Sequence, residues 1–324
     1  MGRTEVLDDV IGTAPPGRRD WIHGALLLGG MTVVVGVAAV FLQTPTSIKA
    51  GLATAFLILS AGPLLAAHPG WLELFRARIG QGTVRWWLGV AVVAALVPTY
   101  WARGELRSLP LVALYVAAPL LITADRPRRP RALARDFAIV PLLWLPLEFG
   151  LVPGDGVVLK LAALNILLLL YVLERGLFEP GRLVATRKVE WAWGAGTSLA
   201  FLAAAIPLAI VSGFARFGLS RTPPLEQFVS LVLLFWLTAL PEEALFRGTI
   251  QGLIEKVSGP WIALAVASVI FGLAHFPDWR YILLATVAGG AYGLAYLKTR
   301  NLAAPILAHF LVDAVWRVFF SGST

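Results

Sequence analysis

Residues 235–256 read FWLTALPEEALFRGTIQGLIEK. Up to Ile254 the stretch is that of a membrane helix, except that Glu242, Glu243 and Arg247 stand inside it. An ionisable group at the centre of a bilayer costs on the order of 2.5 to 3.5 kcal/mol on insertion scales. Glu243 and Arg247 are four residues apart and share a helical face, where a carboxylate and a guanidinium pair and offset most of that cost. Glu242 points about 100° away from this pair. Pro241 has no N–H to donate and opens the helix just ahead of the pair, which gives water or a substrate backbone a foothold. Glu242, the carboxylate outside the ion pair, is therefore the candidate for chemistry.

The rest of the chain supplies the solvent for such a helix. Of 324 residues 58% are hydrophobic and 14% charged, with a mean hydropathy of +0.77, against about a quarter charged in soluble domains. Apolar runs near 21–42, 50–67, 86–101, 109–123, 137–152, 157–173, 191–214, 226–254, 260–276, 281–297 and 302–320 predict an all-α, polytopic transmembrane helix bundle of about eleven spans, ten to twelve being the range. Several of these runs are short for a crossing. Residues 1–20 are expected to be a cytoplasmic tail: they carry Glu5, Asp8 and Asp9 and lack a convincing cleavage site, so 21–42 reads as a retained first span.

A net charge of +8 raises nucleic acid as a partner, and the placement of the charges argues against it. With the N-terminus inside, 18 of the 27 Lys and Arg fall in inner loops, among them Arg76, Arg78, Arg85, Arg187, Lys188, Lys256, Lys298 and Arg300. That alternation is the positive-inside bias of a membrane protein and not a contiguous basic face. Lipid is the expected environment, and the Ala-, Arg- and Gly-rich composition points to a bacterial inner membrane. There is no cysteine, which excludes disulfides, Cys-rich metal knuckles and a thiol nucleophile. Nothing in the sequence speaks to oligomeric state.

Ionisable residues within spans are concentrated at one end of the chain. Upstream, Glu148 and Lys160 lie close enough to span ends to be boundary residues. From about 225 onward, Glu242, Glu243, Arg247, His275, His309 and Asp313 all fall in apolar sequence. Phe271 and His275 are spaced i, i+4, as are His309 and Asp313, and an Asp four residues from a His can fix its orientation. With a turn at Ser258-Gly259-Pro260, Glu242 and His275 lie 16 and 17 residues from Ser258. In an antiparallel hairpin both then reach about 24 Å from the turn. Taken singly, a buried Glu–Arg pair or a membrane His is often structural; four such sites within about 72 residues, after a nearly empty upstream stretch, favour a functional site. The division expected is a bundle of unassigned role over 21–215 and a functional core over 216–324.

At these residues the chain resembles the CAAX prenyl protease and bacteriocin-processing (Abi) family of intramembrane endopeptidases. Its motif Glu-Glu-x-x-x-Arg stands at Glu242–Arg247, Phe-x-x-x-His at Phe271–His275, and His-x-x-x-Asn or Asp at His309–Asp313. The resemblance covers about 225–320. It implies hydrolysis of a peptide bond in a membrane-associated protein or peptide, with Glu242 as general base on a water that His275 helps position. His309 and Asp313 would face the carbonyl oxygen, and Glu243, Arg247 and Phe271 would support them. Where the family often has Asn, an ionised Asp313 cannot donate to an oxyanion; it must be protonated or act by orienting His309. The family has been described both as metalloproteases and as metal-free, glutamate-dependent proteases. A zinc site would use Glu242, His275 and His309. The sequence lacks the His-Glu-x-x-His helix, and a ligating Glu is not free to be the base, so the expectation is no cofactor. The alternatives are a proton-coupled transporter, which should show interrupted helices in both halves, and a non-catalytic immunity or scaffold protein of the same fold.

Overall fold

The computed structural model describes residues 45–67, 69–79, 83–124, 134–178 and 187–321, with isolated positions before 45. Its eleven helices, among the described residues, are α1 (Thr46–Ala66), α2 (Pro69–Ile79), α3 (Val84–Arg103), α4 (Leu109–Ile122), α5 (Ala134–Glu148), α6 (Gly156–Glu174), α7 (Lys188–Val211), α8 (Pro224–Ser258), α9 (Pro260–Leu273), α10 (Trp279–Thr299) and α11 (Ala303–Phe319). Six of them, α1, α3, α6, α7, α8 and α10, are long and apolar enough to cross a membrane. The protein is an integral membrane helix bundle.

Ten of the eleven expected spans coincide with helices; the first, 21–42, lies outside the described residues, as do the tail and the basic residues Arg126 to Arg131. Helix α2 was not among the expected spans, because its 11 residues carry Glu73, Arg76 and Arg78. The outward faces suit lipid: Trp87, Val90 and Trp101 on α3 and Val211 on α7 are all more than half exposed, which water would penalise and hydrocarbon does not.

Two compact units divide the chain, one of residues up to 128 with 142–176, the other of 129–141 with 177–324. In the first, Arg85 on α3 is fully buried; its guanidinium donates to the carbonyls of Leu120 and Thr123 at the end of α4 and lies 3.2 Å from Glu174 on α6. A cation capping a helix C-terminus meets the partial negative charge of its last carbonyls. Asn165 on α6 donates to the carbonyl of Leu59 and ties α6 to α1.

The second unit holds α7 to α11. Small residues let these helices approach closely, the usual device where lipid removes the hydrophobic drive between helices. Gly194 on α7 sits so close to α11 that a Cβ there would stand 2.9 Å from the Ala304 carbonyl, and the Ser198 hydroxyl donates to the carbonyl of Ala308. Between α8 and α9, Gly259 makes the turn at φ +85°, a conformation that glycine adopts without steric penalty. A short antiparallel pairing of Arg216–Phe217 (β1) with Phe320–Ser321 (β2) joins the segment after α7 to the end of α11.

Helix α8 is not uniform. Its α-helical turn at Leu240–Glu243 lies between two π-helical stretches, Phe235–Ala239 and Ala244–Gln251. Pro241 cannot bond the carbonyl four residues earlier and its ring crowds that carbonyl; widened turns on either side accommodate both. The Thr249 hydroxyl donates five residues back to the carbonyl of Ala244 at 3.1 Å. Wide turns of this kind inside α-helices are frequent at functional sites.

Candidate active site

The second unit gathers Glu242 and Glu243 of α8 and Asp313 of α11 around one imidazole, that of His309. Glu243 is fully buried; its Oε1 lies 2.8 Å from His309 Nδ1 and its Oε2 3.0 Å from Arg247 Nε. The Arg247 contact is ionic and does not have hydrogen-bond alignment; the guanidinium instead donates through Nη2 to the Gly289 carbonyl on α10 at 3.1 Å. Its planar face is covered by aromatic rings, with Cζ 4.5 Å from the centroid of Phe271 and 5.4 Å from that of Tyr292. A weakly hydrated, planar cation suits such surroundings. Since Glu243 also faces a guanidinium it is the acceptor, and His309 Nδ1 carries the shared proton.

The other edge of His309 faces two more carboxylates. Nε2 lies 3.4 Å from Asp313 Oδ2 and 3.9 Å from Glu242 Oε2. Below the imidazole, Tyr292 is stacked at 4.9 Å with an interplanar angle of 17°, and Phe271 meets it edge-on at 5.7 Å. The ring is thus fixed by a hydrogen bond, a stack and an edge contact from three different helices.

The two adjacent glutamates occupy opposite environments. The Glu243 side chain is 0% exposed and the Glu242 side chain 24% exposed. Glu242 therefore stays reachable while its neighbour is locked away.

His275 lies just beyond the end of α9, half-buried, with Nδ1 2.7 Å from the Phe271 carbonyl. A carbonyl only accepts, so Nδ1 carries the proton and a neutral ring presents a bare Nε2. His275 packs on Phe271 at 4.8 Å and meets Tyr281 edge-on at 4.5 Å. Together with His309, Asp313, Tyr281, Tyr292 and Trp316 it lines a cavity of ≈ 50 Å³.

All seven residues singled out from the sequence thus fall in one region of the second unit. Glu242, Glu243, Arg247, His309 and Asp313 are in direct contact, and Phe271 and His275 join them through ring contacts and the shared cavity. Two differences stand out. His309 is held most closely by Glu243, 66 residues away, and Asp313 on its own helix is the more distant partner. Tyr281, Tyr292 and the Gly289 carbonyl had no signal in the sequence, because a tyrosine or glycine in an apolar span is ordinary.

As to metal, both histidines have Nδ1 engaged and Nε2 turned away, as metal-ligating imidazoles do. Even so, among the described residues no three His, Asp or Glu side chains are arranged to hold a metal ion. Glu242, His275 and His309 do not close into a ligand set in this arrangement.

Residues 224–315 match the family model of the Rce1-like type II CAAX prenyl endopeptidases. The chain is 38% identical over 89 residues to the uncharacterized protein YpbD of Bacillus subtilis strain 168, covering 26% of this chain and 43% of YpbD. It is 33% identical over 72 residues to YdiL of the same strain, covering 22% and 29%. It is also 37% identical over 86 residues to the membrane-embedded CAAX protease MroQ of Staphylococcus aureus strain USA300, covering 25% and 34%. The chain spans less than half the length of each of these relatives. No solved structure matches. Residues 224–315, which hold Glu242, Glu243, His275, His309 and Asp313, are thus similar to the Rce1-like type II CAAX prenyl endopeptidases.

Proposed function

We propose that this protein is an intramembrane endopeptidase whose general base is Glu242, acting on a membrane-associated peptide or protein within the core 216–324. The observation that carries the reading is the contrast between the adjacent glutamates: Glu243 is 0% exposed and tied to Arg247 and His309, while Glu242 is 24% exposed beside the same imidazole. A base must reach its proton, and an anchor must not move.

Glu242 takes a proton from a water whose other proton is accepted by the bare Nε2 of His275. The water oxygen adds to the scissile carbonyl carbon, and His309, oriented by Glu243 and Asp313, faces the carbonyl oxygen. Glu242 then returns its proton to the departing amine. Positioned acid–base catalysis of this kind supplies about 10²–10⁴-fold.

The test is to incubate the purified protein and its Glu242→Gln variant, in detergent and with chelator, with a library of membrane peptides, reading new termini by mass spectrometry. Cleavage by the wild type that persists in chelator and is lost in Glu242→Gln is expected. Loss on chelation with rescue by zinc would establish a metalloprotease instead. Cleavage unchanged in Glu242→Gln would remove Glu242 as the base.

A further inference from the structure

Hydrolysis of a peptide bond puts a full negative charge on the carbonyl oxygen, and the largest single contribution to such reactions comes from hydrogen-bond donors already aimed at it. The donors at this site are few. An ionised Asp313 only accepts. The Nδ1 proton of His275 is given to the Phe271 carbonyl. That of His309 is given to Glu243, and a proton on its Nε2, the one that the reading above turns to the carbonyl oxygen, is shared with Asp313 and Glu242. Arg247 is engaged by Glu243 and Gly289 and shut in by rings. Tyr292 lies flat beneath His309, 1% exposed. Trp316 is packed against Phe320.

Tyr281 differs from all of these. It stands near the start of α10, lines the cavity, and is 37% exposed. Its ring is held edge-on to His275 at 4.5 Å and against Phe214 at 5.4 Å. Its hydroxyl is within electrostatic reach of both Asp313 and Glu242 and makes no hydrogen bond to protein among the described residues. A phenol titrates near 10 and keeps its proton at neutral pH.

We infer that Tyr281 is a further catalytic residue of this site, its O–H donating to the scissile carbonyl oxygen as that oxygen becomes an oxyanion; the inference rests on the endopeptidase reading above. Water oxygen bonds to the carbonyl carbon, Glu242 accepts a water proton, and the C=O electron pair moves onto the oxygen that Tyr281 holds. On collapse the C–N bond breaks, the proton on Glu242 passes to the departing nitrogen, and an acid and an amine result. Tyr281 keeps its proton throughout.

The test uses a peptide that the wild type cleaves and compares Tyr281→Phe, which keeps the ring and its contact with His275, with Glu242→Gln. Tyr281→Phe is expected to lower kcat about 100-fold with KM within about twofold, the pattern of an interaction made only in the transition state. Replacing Tyr281 by a fluorinated tyrosine, whose phenol ionises at lower pH, is expected to move the alkaline fall of kcat to lower pH, which a purely structural ring would not do. Wild-type kcat in Tyr281→Phe, or a loss confined to KM, overturns the donor while an inactive Glu242→Gln leaves the base assignment standing. An active Glu242→Gln removes the base assignment and the donor with it.

Discussion

Glu243 and His309 are 66 residues apart in the chain and 2.8 Å apart in space, joined by the shortest ionic contact of the site. Because Glu243 also faces Arg247, one carboxylate fixes both a cation and an imidazole. Removing one member of a buried pair leaves the other charge without compensation, at a cost of about 3–5 kcal/mol. Glu243→Gln is expected to destabilise the folded protein by that order in thermal unfolding in detergent, and Arg247→Met in the same chain to recover part of the loss. Glu242→Gln, by contrast, should change stability by less than about 0.5 kcal/mol while abolishing cleavage. If Glu242→Gln proved the more destabilising, the roles given to the two glutamates would have to be exchanged.

Tyr292 is the floor of the site, stacked on His309 and covering Arg247. Tyr292→Ala opens a cavity beneath both, which should cost about 3–5 kcal/mol and lower kcat by allowing His309 to tilt. Tyr292→Phe keeps the stack and should lose much less of either. Equal losses in the two variants, by unfolding and by kinetics, would show that the hydroxyl and not the ring is what matters.

The approach of α9 to α10 depends on Gly272. A Cβ there would stand 2.7 Å from the Ile282 carbonyl and run into Thr286; a backbone carbonyl cannot swing aside. Gly272→Ala is therefore expected to destabilise by about 1–3 kcal/mol and to reduce activity, since it separates the helices that carry His275 and Tyr281. An alanine variant with unchanged melting temperature and turnover would refute this tight crossing.

Outside the membrane-spanning helices, Asp278 caps α10 by accepting from the Arg280 backbone N–H at 2.9 Å, while the Arg280 guanidinium binds it at 2.7 and 3.1 Å. The Arg280 side chain, and then its backbone N–H, hold the carboxyl below its ordinary value. A lowered carboxyl contributes stability above its unfolded value, near 3.9, and loses it as pH falls through the lower folded value. Amide exchange over 280–282 should accordingly remain slow somewhat below pH 4 in the wild type. Asp278→Ala should exchange faster at neutral pH and lack this acid dependence.

Much of this was legible in the sequence because it is local. The run 191–214 is a membrane helix from its composition alone, and the i, i+4 spacing of Glu243 and Arg247 foretells their contact. What was hidden is what passes between helices. Spacing suggests Asp313 as the partner of His309, being one turn away, yet helix packing brings a glutamate from α8 closer. Tyr292 was invisible because nothing in a run of small and aromatic residues marks the ring that lands on an imidazole. Pro241 signalled a disturbance in α8, but the form it takes, wide turns on both sides of Leu240–Glu243, depends on what the carbonyls around it can reach.

The cavity lined by His275 and His309 amounts to ≈ 50 Å³, room for a few water molecules and far below the few hundred Å³ that sites for drug-sized ligands enclose. As it stands the pocket has room for water and not for a peptide segment. On the endopeptidase reading proposed above, an extended strand reaches His275 and His309 only once rings that line the pocket, such as Tyr281, Phe214 and Trp316, move apart.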